Sequence, residues 1–298
     1  MDVLADVLTA MRVGRPRSVY TELRAPWGLR FTGVAGAGFH IVLQGRGWLL
    51  FPDHAPLALA AGDVVFTRHR DGVALADDLD TPLVDTRPVE LAAGEATGRF
   101  RLDGDGARTV LLCGAYVPDR HRPHPLLDAL PEVLHLPARL GGHPAVTLLH
   151  DETTGAGPGA VAVVPALIDA LLVYILRTWF AQQPETGWGA ALGDPSIAAA
   201  LRGIHAEPAR AWTVAALAAA AGMSRAAFAR RFTALIGQAP LTYVTQWRMI
   251  LGARLLRETD APLRTVAGRV GYDSPYAFAV AFKRWHGQPP GRYRLATR

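Results

Sequence analysis

Among 298 residues the chain has one cysteine, Cys113, and one lysine, Lys283. A single cysteine excludes a disulfide framework within the chain and fits a reducing, cytoplasmic setting. Every other basic residue is arginine, which reads as compositional bias and carries little functional weight. No unbroken apolar run reaches the ~20 residues needed to span a bilayer, so no membrane partner is expected. The opening MDVLADVLTAMRVGRP carries acids early and lacks a basic stretch followed by an apolar run. It does not read as a signal peptide.

What is present is ample apolar content, 50% of residues, over a length that one core rarely serves. Two domains are therefore expected. The charge is segregated between them. From Asp194 to Arg298 there are 15 basic residues against 5 acidic ones, while the first 193 residues hold 16 against 21. An acidic domain precedes a basic one, and the basic one alone is suited to a polyanion.

From about Val19 to Leu112, short apolar runs are broken by Gly, Asp and Pro. GLRFTG, FHIVLQG, GWLLF, LALA, DVVFTR and TVLLCGAY have the length and spacing of strands in a small β-barrel or sandwich, with Gly62-Asp63 as a tight turn. From Pro125 the pattern becomes helical. Ile168, Leu171, Leu172, Ile175 and Trp179 recur at spacings of three and four, a stripe that packs either on its own domain or on a second copy of the helix. Residues 1–183 therefore read as one domain, 184–193 (PETGWGAALGD begins there) as a linker, and 194–298 as an all-α domain. Asp194, Thr213 and Ser224 are positioned as helix caps.

The last hundred residues repeat. Ala218 and Gly222 match Ala267 and Gly271 at an offset of 49, and Phe228, Phe232, Gly237, Pro240 and Tyr243 match Phe278, Phe282, Gly287, Pro290 and Tyr293 at an offset of 50. The extra residue falls in the turn, where insertions are tolerated. Each copy reads as short helix, glycine turn and second helix, at about 213–233 and 263–284, which is the form of a helix-turn-helix. The phenylalanines, four apart, anchor the second helix inward.

AALAAAAGMSRAAFARRFTALIGQAPLTYVTQWRMILGARLL and VAGRVGYDSPYAFAVAFKRWHGQPPGRYR resemble the DNA-binding domain of the AraC/XylS family of transcription regulators. The resemblance implies two helix-turn-helix subdomains joined by a long helix at about 241–257, each laying its second helix in the major groove. With the phenylalanines inward, the first such helix exposes Ser224, Arg225, Ala226, Ala229 and Arg230. Arg225 and Arg230 are the candidates for base or phosphate contact, since a guanidinium can fork onto guanine. Arg231 is a weaker candidate. The matching face of the second copy is Ser274, Pro275, Tyr276, Ala279, Val280 and Lys283, with Lys283 and Arg284 suited to phosphate. Val280 stands where the family often has a basic residue. That leaves apolar contact with a thymine methyl in place of polar readout. Tyr276 suits contact with base or backbone, or a capping or packing role. Thr213 and Thr265, near the starts of the first helices, suit phosphate. Arg292 and Arg294 suit either structure or backbone contact.

FHIVLQGRGWLLFPDHAPLALAAGDVVFTRHRDGVALAD, with LLCGAY and HPLLDALPEVLHL, resembles the cupin-like ligand domain of one AraC subfamily. The fold expected is thus an N-terminal all-β cupin-like barrel with trailing helices, followed by an all-α domain with two helix-turn-helix units. His40, His69, His121, His124 and His135, with Cys113, are of the types that bind zinc. Enzymatic cupins, however, carry a close histidine pair, which GFHIV lacks, and Val73 stands where a further histidine is common. No catalytic metal and no enzyme activity are expected, and no cofactor is assigned. A structural or sensory metal on His40, Cys113 and His121 or His124 stays open. So do an inert and a redox-sensitive Cys113, the strand-like VLLCG favouring the inert thiol. The reading is a cytoplasmic, sequence-specific DNA-binding regulator, an activator by resemblance. Its partners would be double-stranded DNA, a second copy of the chain, a small effector and RNA polymerase. The alternative is a cupin-like small-molecule or metal sensor acting through protein partners.

Overall fold

The computed structural model describes residues 2–32, 36–52, 54–68, 71–86, 97–118, 124–137, 143–155, 157–183 and 185–296. These form two compact units. One comprises Val13–Pro118 with Leu130–Trp179. The other comprises Met1–Arg12, Asp119–Ala129 and Phe180–Arg298. The chain passes from one to the other after Arg12, Pro118, Ala129 and Trp179.

The strands run β1 (Arg12–Arg24), β2 (Gly28–Phe31), β3 (Ala37–Gln44), β4 (Arg46–Leu50), β5 (Leu57–Ala60), β6 (Val64–Thr67), β7 (Ala74–Ala76), β8 (Val84–Thr86), β9 (Thr97–Leu102), β10 (Arg108–Pro118) and β11 (Val133–Leu136). The helices run α1 (Val3–Met11), α2 (Pro125–Asp128), α3 (Pro144–Gly155), α4 (Ala160–Ala181), α5 (Gly187–Gly193), α6 (Pro195–Ala206), α7 (Val214–Ala220), α8 (Arg225–Ile236), α9 (Pro240–Glu258), α10 (Leu263–Arg269), α11 (Pro275–His286) and α12 (Pro290–Ala296).

The β-rich unit is two sheets, in the orders β11-β6-β3-β10-β1-β9 and β5-β4-β7-β2-β8. Alternation turns Leu23, Val42, Val65 and Leu111 of the first sheet toward Leu29, Leu49, Leu59 and Leu75 of the second, and these make one core. Gly62 takes a left-handed φ of 95° between β5 and β6, and Asp63 Oδ2 closes that turn on the Ala60 amide at 3.0 Å.

The cupin-like barrel that the family resemblance implies is not formed as a closed barrel. A barrel needs one continuous ladder around the circumference. Here, among the described residues, no ladder joins the edge strands β11 and β9 to the edge strands β5 and β8. β7 and β8 are only three residues long, and β8 and β9 end their sheets by parallel pairing to β2 and β1. The N-terminal region also opens with a helix, α1, ahead of its strands. Among the described residues α4 is the one helix that by length and composition could cross a bilayer. Asp169 and Arg177 interrupt it, and Val164, Ile168, Leu171, Leu172, Ile175 and Leu176 form a stripe buried inside the protein.

In the helical unit the long helix α9 is the axis. Tyr243, Val244, Trp247 and Ile250 are buried along it, and Met249, Ala253 and Leu256 pack into the core of the second helix-turn-helix. Segment 184–193, linker-like in composition, contains α5, with Trp188 and Ala191 buried. Arg248 on α9 donates to the carbonyls of Pro208 and Arg210, each at 2.8 Å, and lies over the ring of Tyr272.

A polar chain runs through this largely apolar interior. The Leu126 amide donates to His124 Nδ1 at 3.1 Å, so in the neutral ring Nε2 carries the proton. His124 Nε2 donates to the Tyr243 hydroxyl at 3.1 Å, and that hydroxyl donates to His205 Nε2 at 2.7 Å. His205 is thereby left with its proton on Nδ1, which faces Asp6 Oδ2 at 3.3 Å. One backbone amide thus sets the direction of every bond in the series. The Trp247 ring stacks on His205 with centroids 3.9 Å apart. Burial, and after it the neighbouring His205, holds His124 well below the ordinary histidine value. Burial lowers His205 too, against the opposing hydrogen bond and charge of Asp6. Burial raises the Tyr243 hydroxyl well above its usual value, and the Asp6 charge adds to this.

Burial therefore disfavours the charged form of both histidines in the fold, and the unfolded chain takes up protons first as pH falls through about 6.5. Because the folded values are depressed, this contribution to stability is full above that pH and declines below it. Each histidine can contribute a slope of up to about 1.4 kcal/mol per pH unit. Urea unfolding between pH 7.5 and 5.5 should show this loss, and a His124→Gln variant should show a shallower dependence, whatever its absolute stability.

Candidate nucleic-acid interface

Each helix-turn-helix is assembled by the same local chemistry. Thr213 caps α7 by accepting from the Ala216 amide at 3.0 Å. Ser224 caps α8 through the Ala227 amide, and Ser274 caps α11 through the amides of Tyr276 and Ala277. Gly237 and Gly287 end α8 and α11 with φ of 82° and 73°. These left-handed C-caps are glycine's usual role. Gly222 and Gly271, at the turns, also have positive φ. The repeat breaks at the first helix. The position matching Thr213 is Pro262, which gives α10 no side-chain cap, and Thr265 lies exposed two residues inside α10.

Phe228 and Phe232 of α8, and Phe278 and Phe282 of α11, are fully buried as tilted pairs with ring centroids 5.5 and 5.4 Å apart. This rotation leaves Ser224, Arg225, Ala226 and Arg230 exposed on α8, with Ala229 half-buried beside them. On α11 it leaves Tyr276, Val280, Lys283 and Arg284 exposed, and Ser274, Pro275 and Ala279 half-buried. Tyr276 at 78% and Val280 at 53% exposure are too open for a packing role. A groove lined by Leu241, Thr242, Tyr276, Val280 and Arg284 runs between α9 and α11.

The arginines divide into two groups. Among the described residues the side chains of Arg225, Arg230, Lys283 and Arg284 enter no hydrogen bond or ion pair. Arg231 instead forks onto Asp194, the N-cap of α6. Burial alone would raise that carboxyl, but the amide of Ile197, the Arg231 guanidinium and the amide of Ser196 together hold it below its ordinary value. Arg294 donates to the Ala261 carbonyl at 2.7 Å, and Arg257 to the Tyr293 hydroxyl at 2.7 Å. Arg292 is exposed. Sequence reasoning missed Arg248 and Arg257. Their spacing on α9 does not separate them from surface arginines.

The histidine candidates are dispersed. His40 Nδ1 lies 3.1 Å from Cys113 Sγ, its neighbour across the β3–β10 ladder, and Thr21 Oγ1 reaches the same sulfur at 3.8 Å. His135 pairs with Asp63 at 3.2 Å, and Val73 is part of the apolar core. His124 belongs to the helical unit, on Tyr243. His69 and His121 lie outside the described residues. Among the described residues no three His, Cys, Asp or Glu side chains come together to hold a metal.

A helix-turn-helix domain family model matches residues 217–296, and a cupin family model matches residues 2–181. A putative AraC-like transcription regulator of Streptomyces antibioticus is 37% identical over 304 aligned residues, covering 99% of this chain and 98% of that protein. The chain belongs to the AraC family of transcription regulators. The HTH-type transcriptional regulator MtrA of Neisseria gonorrhoeae is 30% identical over 310 aligned residues, covering 99% of this chain and 98% of its own. The crystal structure of the DNA-binding domain of the global transcriptional factor AdpA, in complex with a target DNA, is 38% identical. It covers 35% of this chain and 94% of that domain, with a TM-score of 0.33. As a member of the AraC family the protein is a sequence-specific DNA-binding transcription regulator and not an enzyme, with DNA binding residing in its helix-turn-helix domain.

The seat of α11 on the long helix is tight. A Cβ at Gly252 would lie 2.9 Å from two ring carbons of the buried Phe278. Gly252→Val should therefore cost about 1–3 kcal/mol through overpacking, more than helix propensity returns. Urea denaturation should register the loss, and DNA affinity should fall with it.

Proposed function

We propose that α8 and α11 enter the major groove on one face of the duplex, with residues 194–298 carrying all DNA contact. The observation that carries this reading is the division of the cations. Arg225 and Arg230 on α8, and Lys283 and Arg284 on α11, face solvent without protein partners, whereas Arg231, Arg248, Arg257 and Arg294 are engaged internally. In this reading Arg225 and Arg230 give polar contact to bases or phosphates, flanked by Ser224, Ala226 and Ala229, whose small side chains allow close approach. The second helix presents Tyr276 and Val280 to apolar base edges, with Ser274, Pro275 and Ala279 alongside, and grips phosphate through Lys283 and Arg284. Thr213 and Thr265 are peripheral backbone contacts.

We further propose that residues 1–183 sense a small effector and mediate self-association, joined by 184–193 to the DNA-binding residues. The regulator would work as a cytoplasmic homodimer that activates transcription through RNA polymerase. Val161, Val163 and Tyr174, apolar yet about 40% exposed on α4, support that helix as the self-association surface.

Fluorescence anisotropy with duplexes selected from a random pool tests the DNA reading. If Arg230 reads a base edge, Arg230→Ala should lose about 1–3 kcal/mol on the preferred base at one position and little on the alternatives. If it holds phosphate, all duplexes should weaken alike and the log-log salt slope should drop by about 0.9. No change in either quantity would remove Arg230 from the interface.

A further inference from the structure

The first helix of the chain is built into the helical unit. Val3, Leu4, Val7 and Ala10 form a single buried stripe on α1, which packs on α6 and α9. Two polar tethers leave the same helix one turn apart. Asp6 Oδ2 receives His205 Nδ1–H, and the Ala10 carbonyl accepts from an Arg257 guanidinium nitrogen at 3.1 Å. Each tether ends on a tyrosine. His205 holds Tyr243 at 2.7 Å, and a second nitrogen of Arg257 donates to Tyr293 at 2.7 Å. Tyr243 and Tyr293 are the same position in the two copies of the repeat, fifty residues apart, and both are fully buried.

We propose that α1 is a brace between the two helix-turn-helix units, and that Asp6 and Arg257 are positioning residues which fix the spacing of α8 and α11 for DNA recognition. α9 is the covalent rod between the units, clasped near its middle where Arg248 links the 208–210 carbonyls to Tyr272, and long helices bend. A second helix tethered toward the tyrosine of each unit triangulates that rod. The consequence concerns discrimination. Two recognition helices held at one separation should tolerate only one separation of their DNA contacts. Helices joined loosely trade that selectivity for reach, as linked binding modules do. This inference rests on DNA binding through both units.

The test uses the full chain and a duplex enriched by the wild-type protein from a random pool, alongside the same duplex with one base pair inserted between its two protected segments. The insertion displaces one segment by about 3.4 Å, and the wild type should lose about tenfold or more in affinity, the scale of a mismatched contact. Asp6→Ala, and Val7→Asp, which places a charge on the buried stripe, should bind the two duplexes within about threefold of each other. Asp6→Asn keeps an oxygen to accept from His205 and should restore the wild-type penalty. If α1 only covers apolar surface, Asp6→Ala and Val7→Asp will weaken both duplexes by the same factor and leave the insertion penalty intact, which overturns the brace alone. Failure of the wild type to enrich any duplex overturns the DNA reading as well as the brace.

Discussion

The rotation of each recognition helix about its own axis is set by two phenylalanines four residues apart. Phe228 and Phe232 in α8, and Phe278 and Phe282 in α11, are wholly buried, and no other rotation buries both rings of a pair. The face that each helix exposes follows from that constraint. With about 100° between successive residues, Ala226 and Arg230 in one copy and Tyr276 and Val280 in the other fall on the opposite face, while Arg225 is exposed at the first position of α8. The serine caps before these helices and the left-handed glycines after them set their length. The long helix beneath sets where they stand.

The two copies share this frame and differ in chemistry. The first offers two arginines without partners, and the second replaces Arg230 by an exposed valine and keeps its cations near the end of the helix. A protein with fifteen basic residues from 194 onward commits several of them to its own carbonyls, a tyrosine and a cap aspartate. Net charge therefore overstates the cations left for DNA, and the location of the unengaged ones carries more meaning than the sum.

The repeat, the caps and the inward phenylalanines were legible because they are local. Offsets of 49 and 50, a Ser ahead of each second helix and a Gly behind it act within a turn or two of chain. The contacts that complete the helical unit span far greater separations. His124 meets Tyr243 across 119 positions and Asp6 meets His205 across 199, and such pairs leave no period in the text. His124 was read as a possible metal ligand for the same reason, since residue type is visible in a sequence and its partner is not. The β-rich unit failed differently. Strand spacing shows that strands exist, but closure depends on whether the edge strands find one another, and here short β7 and β8 leave two sheets. Within the glycine-rich segment 184–193, Gly189 is small because the carbonyls of Phe180 and Gln183 approach it, and Trp188 is buried.

The chain enters and leaves its helical unit more than once, with pieces from Met1–Arg12 and Asp119–Ala129 built in beside the C-terminal helices. Modularity in this protein is therefore interlaced. A graft that moves the last hundred residues onto another domain through a single junction would leave behind His124, one partner of Tyr243, and the helix that covers α6 and α9. The β-rich unit and the helical unit are inherited together, because the polypeptide is sewn through both.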